Sequence, residues 1–368
     1  MADLFVSTLI QGLIYALVSF GVYITYSILD FPDLGVDGTF PLGAAVTALL
    51  LIKGVDPWLT LVISLLVGAL AGLFTGVVHV RLKVRDLLAG IITMTALFSV
   101  NLLIAGGANL PVERAVDTIF TAPSTMAVLG GLTLSGRKLV ISLVLAVIVK
   151  LVLDLYFKTK SGLLLRAVGD NAALVTSLAR DKGSVKILGL MISNALVALG
   201  GCLVCHETRS FSATMGTGQL VFGLAAVIIG VSLFRFYGAT GLAQSLRRCR
   251  PLRFLGSPRD TTAVIVGSFL YKACIQIAMS LGLPTIASDY GGNPWLVTDG
   301  ENGLLFPSRD SQSMAKAMAH LMDRPEERRE MGRQARERFQ TSFTGQVFAK
   351  NIENVYQGVL KGDPHGRK

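Results

Sequence analysis

Charge is scarce in this sequence, and its scarcity is uneven. Only 16% of the 368 residues are Asp, Glu, Lys or Arg, while 52% are hydrophobic; soluble globular domains carry about 25% charge. No charged side chain occurs from Leu4 to Leu29, nor from Trp58 to Val78, Leu87 to Gly107, Ile187 to Cys205 or Gly218 to Phe234. An ordinary soluble protein is thereby excluded. Cysteine is scarce too: Cys202, Cys205, Cys249 and Cys274 are too few for a disulfide framework in a chain of this size. No basic stretch precedes the first apolar run, where only Asp3 is charged, and the run is too long for a signal peptide. It is expected to be a retained first helix. The phosphate-binding pattern G-x-x-x-x-G-K-[ST] is absent, so any ATP chemistry would need a separate protein. His79, His320 and His365 are scattered, which argues against a zinc site. Cys202-Leu-Val-Cys205-His206 has the spacing of a covalent haem attachment. It lies at the end of an apolar run where small residues pack, so no haem and no metal are expected.

The uncharged runs themselves carry the fold class. Crossing the hydrocarbon core takes about 20 apolar residues, and lipid offers the backbone no hydrogen-bond partners, so each run must be a helix. The expectation is an all-α polytopic membrane protein of about 7–8 spanning helices, multi-pass in the cell (inner) membrane and in contact with its lipid. The net charge of +10 falls between the runs. Arg81, Lys83 and Arg85 form one cluster, Lys158 to Lys186 a second, and Arg235 to Arg259 a third. The positive-inside rule puts all three in the cytoplasm, so the charge marks topology and not nucleic acid. Leu87–Gly107 and Ile187–Cys205 then run outward, Lys138–Phe157 and Gly218–Phe234 return, and Thr261–Leu283 is a last outward crossing. The uncharged stretch Gly38–Ile52 has only 15 residues and includes Pro41. It reads as a short or half-spanning helix that leaves the side of the N-terminus open. Lys150 and Asp154 stand four apart in an apolar run and are expected to pair near the cytoplasmic interface.

After Leu283 no spanning run follows. Turn-forming residues, including Gly291-Gly292-Asn293-Pro294, alternate with two amphipathic helical patterns over Ser311–Met322 and Pro325–Phe339. This reads as a small α/β Rossmann-like fragment. The expected organisation is a transmembrane domain over 1–234, an arginine-rich cytoplasmic insert over 235–260, a last transmembrane helix over 261–283 and the fragment over 284–368.

Two stretches in the membrane part carry candidate functional groups. Asp30, Asp33 and Asp37 lie among Pro and Gly between apolar segments. Such carboxylates either line the mouth of a path or cap a helix, and the pattern alone does not separate the two. Thr93, Thr95, Asn101 and Asn194 are polar residues within spans that either meet a solute or join helices. The candidate path is therefore Asp33, Asp37, Thr93, Asn101 and Asn194. The stretch Ser161–Leu178 is basic, amphipathic and broken at Gly169-Asp170-Asn171, which suits a cytoplasmic docking helix.

Together, ILDFPDLGVDGTFPLGAAV, SGLLLRAVGDN, KILGLMISNALVALGG and FGLAAVIIG resemble the permeases of ATP-binding-cassette importers. The branch is the branched-chain-amino-acid permease superfamily, tryptophan/tyrosine type. That resemblance implies a permease for small, amino-acid-like solutes. It implies a homodimer or paired permease, a separate ATP-binding subunit and an extracytoplasmic solute-binding protein. Arg166, Gly169, Asp170 and Asn171 would couple to the ATPase. Two features depart from the family: Val231 stands where an acidic residue is common, and the arginine-rich insert is long.

The final segment, GLPTIASDYGGNPWLVTDGENGLLFP and onward, resembles the C-terminal end of retaining family-four glycosyltransferases of the GT-B fold. There Gly291 and Gly292 would be a phosphate-binding remnant. The glutamate pair of that family would fall at Phe269 and Ile277, neither of them acidic. The tail is therefore expected to be non-catalytic, and a membrane-anchored glycosyltransferase is the alternative reading. The string LGLP at Leu281–Pro284 suits both parents, as a fusion, a frameshifted gene or an artificial recombination would leave.

Overall fold

In the computed structural model the structure describes residues 2–170, 182–239, 260–280, 284–289, 297–307 and 310–342. The chain divides into two compact units, Met1–Ala273 and Cys274–Lys368. Six helices of the described residues are long and apolar enough to cross a membrane. The first span, Val6–Ile28, joins helix α1 (Ala2–Val22) to a π-helical turn (Tyr23–Ile28). A shorter helix, α2 (Val36–Ile52), follows with Pro41 inside it. Then come α3 (Pro57–Val80) and α4 (Asp86–Ala105). Past a strand, β1 (Asn109–Pro111), and the short α5 (Pro123–Leu129), α6 (Leu134–Tyr156) crosses back to α7 (Lys160–Asp170). The first unit is completed by α8 (Lys182–Thr208), β2 (Ser210–Ser212), α9 (Gln219–Ala239) and the start of α10 (Asp260–Ser280). Strands β1 and β2 pair antiparallel.

The longest of these helices, α8, lies at the centre, and the residues of α3 show why. Thr60, Ser64, Gly68, Gly72 and Gly76 recur every fourth position and all are buried. On the opposite face Leu59, Val62, Leu66, Leu70 and Phe74 are exposed. In lipid the large apolar side chains gain nothing by turning inward, whereas small residues let two backbones approach and form polar contacts. The approach is close. A Cβ on Gly72 would lie 2.2 Å from the Leu190 carbonyl oxygen, and one on Gly68 2.5 Å from the Asn194 carbonyl oxygen. Ser64 donates to the Ala198 carbonyl at 2.9 Å, and Thr60 lies 2.9 Å from His206 Nε2. Cys202 and Cys205 are fully buried in the same helix.

Helix polarity settles the question left open at the N-terminus. Gly21 packs on Ser193 and Gly200 packs on Val18, so α1 runs antiparallel to α8. Its start therefore lies on the side of Lys53–Asp56, opposite Arg81, Lys83 and Arg85. By the positive-inside rule that side is extracytoplasmic. Lys150 and Asp154 pair at 2.9 Å, as their spacing implies. Asp154 also accepts from Thr261 at 2.7 Å, which ties α6 to α10 at the basic end.

In the second unit β3 (Thr285–Ser288) and β4 (Gly303–Phe306) pair in parallel. They are followed by α11 (Ser311–Asp323), capped by Asp310, and α12 (Pro325–Ser342). The extra strands of a full Rossmann sheet are absent among the described residues.

Replacing Gly72 with Val is expected to force α3 from α8 and to cost about 1–3 kcal/mol. Thermal unfolding of the purified protein in detergent reads this as a lowered midpoint, whereas Leu70→Val on the exposed face leaves the midpoint unchanged.

Candidate functional site

Between the π-helical turn and α2 the chain dips into the bundle, and a fully buried carboxylate holds it there. Asp33 Oδ1 accepts from the Gly35 amide at 2.8 Å, and Oδ2 accepts from Asn194 Nδ2 at 2.8 Å. Asn194 in turn donates to the Leu190 carbonyl at 3.0 Å, and its Oδ1 lies 2.7 Å from the Thr39 hydroxyl. A buried carboxylate is expensive unless its lone pairs are occupied, and here both oxygens are. Next to Gly35, Thr75 donates to Thr93 at 2.9 Å, joining α3 to α4. Of the candidate path residues, then, Asp33, Asn194 and Thr93 lie in a closed internal network.

The other two, Asp37 and Asn101, border open space. A cavity of about 350 Å³ lies between α2, α4 and the segment 213–217. Asp37 and Pro41 form its α2 wall, and Met94, Thr95, Phe98 and Asn101 its α4 wall. Thr214 and Thr217 close the third side. The Asp37 carboxylate also accepts from the Leu220 amide at 2.8 Å and the Gly218 amide at 3.1 Å. It thus caps the start of α9 from another helix while facing the cavity. Asn101 is 1% exposed and donates to the Gly38 carbonyl at 3.0 Å. Its Oδ1 has no partner among the described residues. Asp30 stands apart, exposed and at φ 51°.

The docking-helix residues lie on the opposite side of the network. Gly169 of α7 presses on the π-helical turn so closely that a Cβ there would lie 1.7 Å from the Ile28 carbonyl oxygen. Gly189 of α8 touches both Leu29 and Leu165. Arg166 stacks 4.9 Å over the Phe157 ring, and Asp170 ends α7. Asn171, Gly291 and Gly292 lie outside the described residues.

Reading by residue type missed Pro41, Met94, Phe98, Thr214 and Thr217. Met94, Phe98 and Asn101 stand at i, i+4 and i+7, a single helical face, so the α4 wall had a visible signal. The 213–217 segment had none, because only the tertiary fold brings it to Pro41. Lys272 was also missed. Its ammonium lies 3.6 Å over the Tyr15 ring and 5.0 Å from that of Phe222, which shields a charge inside the bundle.

Residues 4–288 match the family model described as branched-chain amino acid transport system / permease component. The chain belongs to this permease family. It is a permease of the ATP-binding-cassette importer type, multi-pass in the inner membrane. A tyrosine transport system permease protein of Clostridioides difficile (strain R20291) is 39% identical over 278 residues, covering 76% of this chain and 84% of that one. A probable branched-chain amino acid transport permease protein LivH of Methanocaldococcus jannaschii is 27% identical over 229 residues, 60% of this chain and 71% of that one. Residues 277–338 match a second model, glycosyl transferases group 1, so the two matches overlap over 277–288. The N-acetyl-alpha-D-glucosaminyl L-malate synthase of Bacillus anthracis is 31% identical over 90 residues, 24% of each chain. No solved structure matches the chain.

Asn194→Leu strands one oxygen of the Asp33 carboxylate, and a loss of about 2–3 kcal/mol is expected. Adding Asp33→Leu removes the stranded charge. A double-mutant cycle of unfolding midpoints then shows the pair less damaging than the sum of its singles.

Proposed function

We propose that this permease carries an amino-acid-like solute by way of the cavity between α2, α4 and the 213–217 segment. The observation that supports this most is Asp37. One carboxylate both faces the cavity and caps α9, so the solute chamber and the start of that helix share a single group. Asp33, Thr93 and Asn194 serve beneath it as the rigid floor of the path. The names of the two permease relatives favour an amino acid as the solute.

Energy enters from outside this chain. A separate ATP-binding subunit docks on α7 and an extracytoplasmic solute-binding protein delivers the solute at the opposite face. The chain works as a homodimer or paired with a second permease. Closure of the ATPase pushes α7, and Arg166, Gly169, Asp170 and Asn171 form its docking surface. From Gly169 the displacement passes to the Ile28 carbonyl, and from Leu29 along the chain to Asp33. A π-helical turn suits this role, because its wide backbone ring has a less favourable helical geometry and marks functional positions. The change is one of alternating access, in which packed helices switch between two arrangements.

The glycosyltransferase-like tail takes no part in catalysis on this reading. Phe269 and Ile277 cannot accept hydrogen bonds from a sugar or its ribose as the two expected glutamates would.

Gly169→Val tests the coupling. The variant is expected to remain in the membrane. ATP-driven uptake into vesicles should fall by about tenfold or more, since about 1.4 kcal/mol of lost coupling is a factor of ten. Normal uptake would remove α7 from the mechanism. A uridine-diphosphate sugar should produce no shift in the unfolding midpoint of the whole chain, and a shift would assign the tail a binding role.

A further inference from the structure

At the extracytoplasmic end of α8 one side chain gathers a whole loop. Arg209 follows the last turn of the helix at φ 53°, a left-handed conformation that a residue other than glycine keeps only where its surroundings over-determine it. Its guanidinium supplies that constraint. Nη1 donates to the carbonyls of Val116 at 2.7 Å, Glu113 at 3.1 Å and Arg114 at 3.3 Å, and Nη2 donates to the Thr121 hydroxyl at 3.5 Å. The backbone adds to this clasp. The Val112 amide donates to the Arg209 carbonyl at 2.9 Å and the Ala213 amide to the Ala108 carbonyl at 2.8 Å, at the two ends of the paired strands β1 and β2. Phe211 of β2 lies in an apolar cluster with Ala44, Ala45 and Ala48 of α2. From β2 the chain runs directly into the third wall of the cavity. Gly216 lies so close to α2 that a Cβ there would stand 2.0 Å from the Asp37 carbonyl oxygen. The Gly218 and Leu220 amides then donate to the Asp37 carboxylate. Gly218, at φ 81°, ends the segment in a second left-handed turn.

We propose that Arg209 is a positioning residue for the cavity: by clasping the loop between β1 and α5 it holds the 213–217 wall, and with it the bonds to the Asp37 carboxylate, in place. Without the clasp β2 keeps its apolar footing on α2 but loses its hold on the outer loop, and the wall parts from Asp37 more often. A merely local role, confined to satisfying the carbonyls of the loop, would end at the two strands. This rests on the permease reading and extends it, because it names a residue outside the cavity that sets the cavity's shape.

The test is hydrogen exchange on the full chain in nanodiscs, read at the Gly218 and Leu220 amides that Asp37 protects. In Arg209→Gly the left-handed backbone suits the new residue and only the side chain is lost. Both amides are expected to exchange about tenfold faster or more. Exchange where α3 and α8 meet should match wild type, which establishes that the variant is folded. Asn109 and Ser212 are direct partners across the strands. An oxidised Asn109→Cys/Ser212→Cys pair should therefore return the Arg209→Gly rates to those of wild type, and reduction should release them again. Arg209→Lys keeps the charge but not the planar fork. It is expected to fall between the two, and it decides the matter if the glycine variant does not fold. In the assembled importer Arg209→Gly should raise the apparent KM for uptake of L-tyrosine, the solute in the name of one relative, about tenfold with Vmax held. The proposal falls if faster exchange stops at 109–121 and 209–213, if the oxidised pair leaves the two amides fast, or if that KM is unchanged. A chain that never assembles with an ATPase loses the permease reading, and exchange at the two amides still decides the clasp.

Discussion

The contact between α3 and α8 is the constraint on which the membrane unit depends. It consists of two backbones brought together along Gly68, Gly72 and Gly76, with Thr60 and Ser64 continuing the line through hydrogen bonds. Because lipid is as apolar as any leucine, the gain comes from close packing and satisfied polar groups, not from hiding large side chains. With α8 fixed in this way, Asn194 is held at a set depth and Leu190 presents its carbonyl. The loop carrying Asp33 then has a partner to enter the bundle for.

That entry has mechanical consequences. The chain between Ile28 and Val36 is irregular backbone at membrane depth, which is tolerated only where protein satisfies its polar groups. Asp33, Gly35, Thr39 and Asn194 do so in one connected set. The same loop is pressed by Gly169 at one end and begins the α2 wall of the cavity at the other. Few residues separate the basic-side surface from the chamber, and among them Ile28, Leu29, Asp33 and Gly35 are held by close contacts or hydrogen bonds.

Much of this was legible in one dimension. The uncharged runs overlap the observed spans because lipid excludes charge and demands backbone satisfaction, two requirements any single helix meets alone. Lys150 and Asp154 pair because a spacing of four is a local property of a helix. The polar residues within spans were equally visible as residues, but their roles were not. Thr93 and Asn194 face the internal network while Asn101 faces the cavity, although all three look alike as isolated polar residues in apolar helices.

The sequence by itself determined that this chain is a bundle of membrane helices, which of its loops are basic, and that it belongs with importer permeases before a glycosyltransferase-like tail. Those properties are written in short windows, where composition and helical spacing act without reference to the rest of the chain. Only the tertiary structure decided that Asp37 would cap a helix that begins 182 residues later, at Gln219. Only it brought Thr214 and Thr217 to the cavity, and turned the start of α1 away from the basic loops. These outcomes depend on which helices approach one another and in which direction. That choice belongs to the packed bundle, because contacts between distant segments arise from surfaces no single segment contains.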